Sequence, residues 1–335
     1  MSRSFITLAA LSIAVATTFI SLQAQAVQRT HVSAAFGSDA NTATNCAAAA
    51  PCRFFTAAMT VTNPNGEVIV LDSGGYGAVT ITQSVALIAP TGVYAGISVF
   101  PGADGVTIAT AGVNVVLRGL SINGQGGNNG ISMTAGNRLT VENCVISNLG
   151  QSGILVNTAA TVRVTDSIVR DNGARGINLL NGVKTTITRA VVSGNANPGI
   201  YLFGNTPSTS TVDIADSTVD GNGYGIAANS TVSTAILKLS VRDSRIVSNL
   251  NIGLFVGSGA GAAVSLTASN NMVSNNSTGL AAFNAGAKII SSGNTVTGNA
   301  SAGFINNSAV FVSAGNNTVY DNGANNGTIT AIATQ

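Results

Sequence analysis

Charged residues recur at one position of a repeated sequence unit. Four of them stand six residues before an asparagine: Asp166, Arg189, Asp216 and Asp243. Glu142 joins this set if the turn of its unit is one residue shorter. Two carboxyls about 5–5.5 Å or about 6.5–9.5 Å apart can hydrolyse a glycoside, whereas a polysaccharide lyase would use Arg189 beside aspartates that hold Ca²⁺. These five residues are the candidate catalytic residues. Ca²⁺ is expected only for a lyase, and the sequence indicates no other cofactor or metal site.

A structural interpretation competes with the catalytic one, and we favour it. Aspartate and asparagine side chains cap their own backbone in turns, and an arginine between exposed carboxylates forms an ion pair worth about 0–1 kcal/mol. We expect Arg163 to share an outward column, meaning equivalent positions of successive units, with Asp213 and Arg242. The candidate ligand-binding residues, which are either solvated or line a sugar-binding groove, are Arg163, Arg170, Asp171 and Arg175.

Residues needed for other familiar sites are missing or isolated. His31 is the only histidine, so we expect neither a Ser-His-Asp triad nor a histidine metal site, and we predict that His31 lies on an edge strand. The glycine-rich stretch 124–127 lacks the Lys-Ser/Thr of a phosphate loop. Aromatic residues such as Tyr201, Phe203 and Phe255 are too scattered along the sequence to predict a platform for stacking sugars.

An internal repeat supplies the elements that position these residues. Its first landmark is a glycine before an apolar residue, with spacings of 23, 23, 23, 26, 28, 26 and 24 residues: Gly130, Gly153, Gly176, Gly199, Gly225, Gly253, Gly279 and Gly303. The second is an asparagine: Asn148, Asn172, Asn195, Asn222, Asn249, Asn275, Asn299 and Asn322. Between these landmarks apolar residues alternate, as in Val162 and Val164, which is typical of three short strands per unit.

This pattern predicts an all-β fold, a right-handed parallel β-helix in which each repeat forms one coil. Stacked coils lie about 4.8 Å apart and bury a continuous core, and stacked asparagines bond to one another from coil to coil. Residues 53–61 predict a short amphipathic helix that caps the N-terminal end. We divide the chain into a signal peptide (1–26), an N-terminal segment with the cap (27–66) and the coils (67–335).

The first residues have the features of an export signal. Arg3 precedes an apolar stretch from Phe5 to Leu22, and Ala24-Gln25-Ala26 is a cleavage motif. After its removal no stretch approaches the ~20 apolar residues of a membrane span. We therefore predict secretion, to the periplasm or the outside of a bacterium.

Composition and cysteine usage restrict the partners and the redox state. Only 8% of the residues are charged, the net charge is +2 and no basic stripe is visible, so nucleic acid is not an expected partner. In an exported protein, Cys46 and Cys52 are expected to form a local disulfide. Cys144 is predicted to be a buried free thiol that aligns with Ser167 of the next unit.

Three stretches resemble a known family: the N-terminal stretch from Thr30-His31-Val32-Ser33 to Pro51-Cys52-Arg53-Phe54, then Gly74-Gly75-Tyr76-Gly77 with Val79-Thr80-Ile81-Thr82, then the glycine–asparagine coils. The chain resembles the secreted parallel β-helix repeat proteins of the pectin-lyase-like superfamily. This resemblance implies the fold and export. The superfamily includes pectate lyases, polygalacturonases, epimerases, phage tailspikes and adhesins, but enzyme motifs such as Gly-His-Gly, Asp-Pro-His-Glu and Trp-x-Asp-His are absent from this sequence.

Three functions are open at this point. We favour a secreted, non-catalytic β-helix that binds polysaccharide or a cell-surface glycan, or acts in adhesion. The first alternative is a divergent polysaccharide lyase or glycoside hydrolase that acts on an acidic polymer. The second is a structural module that self-associates through its weakly capped C-terminal end. The sequence does not determine the oligomeric state.

Overall fold

The chain winds into a stack of coils built from three parallel β-sheets. The computed structural model describes residues 27–259 and 261–332. Each coil contributes one strand to each sheet in turn, and neighbouring strands of a sheet come from successive coils. The predicted all-β parallel β-helix is therefore confirmed.

The sheets are numbered in their order along a coil. Sheet 1 contains Val27–Val32, Thr62–Val70, Val85–Ile88, Asn114–Arg118, Arg138–Glu142, Thr161–Thr165, Lys184–Thr188, Thr209–Ala215, Ile236–Arg242, Ala263–Ser269, Ala287–Ser292, Val310–Ser313 and Thr330–Ala331. Sheet 2 contains Gly74–Gly75, Ala95–Val99, Leu120–Gly124, Val145–Ser147, Ile168–Arg170, Val191–Ser193, Thr218–Asp220, Arg245–Val247, Met272–Ser274, Thr295–Thr297 and Thr318–Tyr320. Sheet 3 contains Val79–Ile81, Val106–Ile108, Ile131–Met133, Ile154–Asn157, Ile177–Leu180, Pro198–Gly204, Tyr224–Ser230, Ile252–Ser258, Thr278–Phe283 and Ala302–Asn307. The described helices are the 3₁₀-helix Asp39–Thr44 and the α-helix Phe55–Val61.

The strands form because alternate side chains point into one shared core. Val162, Val164 and Val169 are buried, whereas Arg163 is exposed. Register between coils places Val164 opposite Ile187, so the same inward position stays apolar from coil to coil. Each valine, leucine or isoleucine buried in this way stabilises the fold by about 1.5–3 kcal/mol relative to leaving it exposed.

A ladder of asparagines closes the corner between sheets 2 and 3. After the first member, each Oδ1 accepts hydrogen bonds from the backbone N–H and from the Nδ2 of the preceding member, for example in Asn222 from Asn195 at 3.1 and 2.8 Å. The members are Asn172, Asn195, Asn222, Asn249, Asn276, Asn299 and Asn322. The predicted coil-to-coil bonding of asparagine amides is confirmed.

The predicted membership of this ladder was wrong by one residue in two coils. Asn148 and Asn275 are exposed and adopt a left-handed backbone with φ of 61° and 56°. The buried position after each is held by Leu149 and Asn276. Asparagine suits both positions, because it tolerates the left-handed backbone and also bonds within the ladder, so residue type alone does not show which position it takes.

A second ladder, at the corner between sheets 1 and 2, was not predicted. The backbone N–H of Ser217 donates to Oγ of Ser244 at 3.1 Å, and that of Ser244 donates to Oδ1 of Asn271 at 3.0 Å. The N–H of Cys144 donates to Ser167 in the same way, which confirms the predicted alignment. Cys144 is a buried free thiol as predicted, and burial raises its pKa to about 11, so it is a poor nucleophile.

A short helix packs against the N-terminal end of the core, as predicted. It spans Phe55–Val61 and buries Phe55, Ala58 and Met59. The helix begins two residues later than the predicted range 53–61, because Phe54 keeps an extended backbone. The ring of Phe55 contacts that of Tyr76 with centroids 5.4 Å apart, which ties the helix to the first coil.

Further N-terminal predictions are confirmed in part. Cys46 and Cys52 form the predicted disulfide, which is consistent with an oxidising compartment. His31 lies on Val27–Val32, the outermost strand at this end of sheet 1. No helix in the described part of the chain is long and apolar enough to cross a membrane. The predicted signal peptide, residues 1–26, lies outside the described residues.

Asp72 fastens the N-terminal segment to the first coil. Its carboxylate accepts hydrogen bonds from the hydroxyls of Ser33 and Tyr76 and from the backbone N–H groups of Ala34 and Ala35. Burial by itself raises the pKa of Asp72, but these hydrogen bonds outweigh it and lower the pKa to about 2 from the usual 3.8.

We expect the contribution of Asp72 to stability to depend on pH. A carboxyl whose pKa is depressed in the folded state stabilises the fold above its unfolded pKa, and this stabilisation is lost as the pH falls through the folded pKa. Asp72→Asn should therefore lower the thermal midpoint at neutral pH, and the difference from the parent should disappear between about pH 4 and about pH 2. Circular dichroism melts across this range measure it, with the exposed Asp321→Asn as control. A difference that stays constant with pH would contradict this assignment.

Candidate functional site

The predicted catalytic residues lie at the corner between sheets 1 and 2. Four of them adopt a left-handed backbone with φ of 51° or 52°: Asp166, Arg189, Asp216 and Asp243. Each directly precedes a position of the second ladder. Glu142 was wrongly placed in this column, because it pairs with Thr165, and Asn143, with φ of 51°, takes the equivalent position. The corner requires positive φ, which aspartate and asparagine tolerate better than most residues.

Most charges of this column and of the column beside it form ion pairs at the surface. Arg189 donates from Nε and Nη2 to the two carboxylate oxygens of Asp166, at 2.6 and 2.7 Å. Their side chains are 57% and 39% exposed, so solvent screens the pair. Two further pairs are Arg118–Glu142 at 2.7 Å and Arg242–Asp243 at 3.4 Å.

These ion pairs determine which reactions the charged column could catalyse. Hydrogen bonds from Arg189 lower the pKa of Asp166, whereas the general acid of a glycosidase needs a raised pKa. Among the described residues, no group of three or more His, Cys, Asp or Glu side chains is placed to hold a metal ion. The geometry at Asp166 is therefore that of a surface ion pair.

The predicted ligand-binding residues do not form one groove. Arg163 points outward from sheet 1 and shares a column with Asp213, as predicted. Arg242 was wrongly placed there, because it aligns with Ala215 in the neighbouring column of Glu142. The adjacent pair Arg170–Asp171 lies at the corner after sheet 2. Arg175 alone of the four borders sheet 3.

Aromatic side chains gather on the outward face of sheet 3. Tyr201 pairs with Ala227, which pairs with Phe255, so these two aromatic residues stand two strands apart, about 9.6 Å, in one column. Phe203 and Phe283 belong to the adjacent outward column. We call this surface the sheet 3 platform: Tyr201, Phe203, Tyr224, Phe255 and Phe283.

The platform rings form two groups of contacting side chains. Tyr201 and Phe203 stack with centroids 5.6 Å apart and 12° between their planes. Phe255 bridges to the other two rings, with centroids 6.3 Å from Tyr224 and 5.7 Å from Phe283. All five side chains remain partly exposed. Aromatic residues that are too scattered along the sequence to predict a platform therefore come together in the fold.

Polar atoms without partners lie beside the platform. The guanidinium of Arg175 lies over the ring of Tyr201, 4.7 Å from its centroid, and Asn178 pairs with Tyr201 across adjacent strands. Nε of Arg175 and Oδ1 of Asn178 are buried without a hydrogen-bond partner among the described residues. Asn178 is only 7% exposed, so its free carbonyl is costly to leave unsatisfied. Burial raises the pKa of Tyr201, which keeps its hydroxyl neutral.

The sequence contains a signal for this surface. Tyr201 and Phe255 stand two residues after a repeated glycine, and Phe203 and Phe283 stand four residues after one. In the structure both positions point outward from sheet 3. The distance along the chain concealed the cluster, because the platform residues belong to four coils and span 83 residues from Tyr201 to Phe283.

A family model described as "Right handed beta helix region" matches residues 55–210 and 97–241, together more than half of the chain. The chain belongs to this right-handed β-helix family. No curated protein matches the sequence of this β-helix significantly.

Three solved structures are similar to this chain over most of its length. The crystal structure of pectate lyase Pel9A superposes with a TM-score of 0.64 at 17% identity, covering 93% of this chain and 82% of that one. The A-module of Azotobacter vinelandii mannuronan C-5 epimerase AlgE4 gives a TM-score of 0.48 at 15% identity, covering 80% and 89%. The GH136 lacto-N-biosidase from Eubacterium ramulus gives 0.45 at 11% identity, covering 91% and 68%. At these identities the likeness extends to the fold alone.

Proposed function

We propose that this protein is an exported, non-catalytic β-helix that binds a polysaccharide along the sheet 3 platform. The observation that carries the proposal is the group of partly exposed rings on the outward face of sheet 3, in which Tyr201 and Phe203 stack. A sugar presents an apolar ring face to an aromatic side chain and hydroxyls to hydrogen-bonding groups, and binding sites combine these two kinds of contact.

The shape of the platform suits a chain rather than a single sugar. Together with Asn178 on the preceding strand, it crosses five strands of sheet 3, a length of about 19 Å. The ring of Phe255 lies across Gly257, where an added Cβ would come within 2.8 Å of the ring. The missing side chain thus lets the ring lie along the sheet, and the ring of Phe255 is partly exposed.

Two further observations support the other parts of the proposal. The Cys46–Cys52 disulfide favours an oxidising compartment, which fits export. The ion pair between Asp166 and Arg189 and the left-handed corner that these residues form favour a structural role for the charged column.

Binding should depend on the platform rings. We expect Tyr201→Ala together with Phe255→Ala to weaken binding at least about tenfold, since each ring that a sugar covers removes apolar surface from water at about 25 cal/mol per Å². The measurement is a binding screen of the exported protein against pectate, alginate and neutral glycans, with and without Ca²⁺, followed by titration of the best ligand. Thermal melts confirm that the variant is folded.

Phe100→Ala is the matched control, because Phe100 is 63% exposed and lies outside the platform. Equal weakening by the control and the platform variant would contradict the proposal. Unsaturated or reducing ends in the same assays would establish the lyase or hydrolase alternative, and Asp216→Asn with Asp243→Asn would then abolish turnover. No binding to any polymer, with light scattering that rises with concentration, would favour the self-associating module.

A further inference from the structure

The lysines of this chain occupy one column of the outward face of sheet 1. The sequence has three, Lys184, Lys238 and Lys288. Strand register places them in a single line with Arg138, separated by Thr161, Thr211 and Ser265. We call this line the cation column: Arg138, Thr161, Lys184, Thr211, Lys238, Ser265 and Lys288.

The cation column has a regular spacing. Basic residues and hydroxyl residues alternate on successive strands, so neighbouring cations stand two strands apart, about 9.6 Å. Lysine is disfavoured in strands, and these strands lie inside the sheet rather than at its exposed edge. Protection of an edge from aggregation therefore does not account for the lysines.

The four cations are free to meet a ligand. All are exposed, and the ion pairs in the described parts of the chain involve other residues. A shallow depression of about 470 Å³ runs between Lys184 and Lys238 and includes Thr211 and Ser265 in its lining. The adjacent outward column contains Arg163 and Asp213, whose opposite charges offset each other and leave the cation column positive.

No basic stripe is visible in the sequence because the four cations are 46, 54 and 50 residues apart. The coils differ in length, and the pairing of their strands aligns these four residues. The stripe therefore exists in the fold, and the earlier expectation was wrong on this point. Whether a nucleic acid fits this column depends on how the spacing of its phosphates compares with the spacing of the four cations.

We propose that the cation column binds a linear acidic polysaccharide in which one sugar of every two carries an anionic group. In an extended glycan each sugar advances by roughly one strand spacing of a sheet, so acidic groups on alternate sugars would meet successive cations. The intervening neutral sugars would lie beside Thr161, Thr211 and Ser265, whose hydroxyls are hydrogen-bonding groups. Double-stranded DNA carries one charge per ~1.7 Å of its axis, so most of its phosphates would have no partner in this column.

The test measures how tightly defined polymers bind to the mature protein. We expect hyaluronan, with one acidic sugar in two, to bind more tightly than polygalacturonate, dextran or a DNA duplex at low salt. Lys184→Gln together with Lys238→Gln should weaken hyaluronan binding about tenfold, and the difference should disappear near 1 M salt, where charges are screened within about 3 Å. Lys184→Arg together with Lys238→Arg should retain binding.

Arg245→Gln is the control, because Arg245 is an exposed cation on sheet 2 and should leave hyaluronan binding unchanged. Tighter binding of polygalacturonate or DNA would overturn the assigned ligand class. Equal weakening by Arg245→Gln, or no effect of the double lysine variant, would overturn the site. The sheet 3 platform lies on a different face, so Tyr201→Ala with Phe255→Ala should leave hyaluronan binding intact, and the two proposals can fail separately.

Discussion

Replacing Asn276 with alanine is expected to lower the free energy of unfolding by about 3–5 kcal/mol, since each buried polar group left unsatisfied costs about 1–3 kcal/mol. Asn276 is 2% exposed. Its Nδ2 donates to the carbonyls of Ile246 and Ser274 and to Oδ1 of Asn299. Its Oδ1 accepts from the backbone N–H and Nδ2 of Asn249. Alanine removes all these bonds and breaks the ladder between two coils.

The neighbouring residue provides the control. Asn275 is exposed with φ of 56°, a conformation that glycine adopts freely, so Asn275→Gly should change stability by no more than about 0.5 kcal/mol. Chemical denaturation followed by circular dichroism measures both variants. If Asn275→Gly were the more harmful change, the ladder would follow the sequence-based register and not the structural one.

The second large effect is expected at a repeated glycine. Gly225→Ala should destabilise the protein by at least about 3 kcal/mol, at the upper end of the usual cost of overpacking. A Cβ at Gly225 would stand 2.4 Å from the carbonyl oxygen of Gly253, 2.7 Å from Cγ2 of Ile246 and 3.0 Å from Nδ2 of Asn249. The nearest obstacle is the backbone of the next coil, which cannot retreat without disturbing sheet 3.

Gly75→Ala is the matched control for this substitution. No atom outside its immediate neighbours lies within 4 Å of a Cβ at Gly75, so the change should cost no more than about 0.5 kcal/mol. Thermal and chemical denaturation of the two variants give the comparison. Equal midpoints for Gly225→Ala and the parent would show that adjacent coils can separate at this corner.

The two ligand proposals use one property of a β-helix. Residues at equivalent positions of successive coils form columns with a fixed spacing, so a side chain repeated every coil or every second coil presents itself to a polymer at regular intervals. On sheet 3 the repeated chemistry is aromatic, and on sheet 1 it is cationic. Low overall charge, 8% of residues, does not prevent a charged surface when the fold aligns the few charges available.

The sequence by itself determined the architecture. Repeated glycines such as Gly176 and Gly199 mark one unit per coil, and alternation of the kind seen at Val162 and Val164 predicts strands with one buried face. A single coil cannot bury its apolar residues, so these local patterns predict that successive coils stack on one another. The Cys46–Cys52 disulfide, the short N-terminal helix and the buried thiol followed from local spacing in the same way.

The tertiary structure decided which residues meet between coils. Successive glycines are 23 to 28 residues apart, so the sequence separation of stacked residues changes from coil to coil, and only strand pairing fixes it. An error of one residue in aligning two coils moves a residue from one column to the next. For this reason Asn148, Asn275 and Glu142 were assigned to the wrong columns. The same pairing brings Tyr201 near Phe255 and aligns Lys184 with Lys238. These surfaces arise from contacts between residues distant along the chain, and such contacts form only when the coils stack.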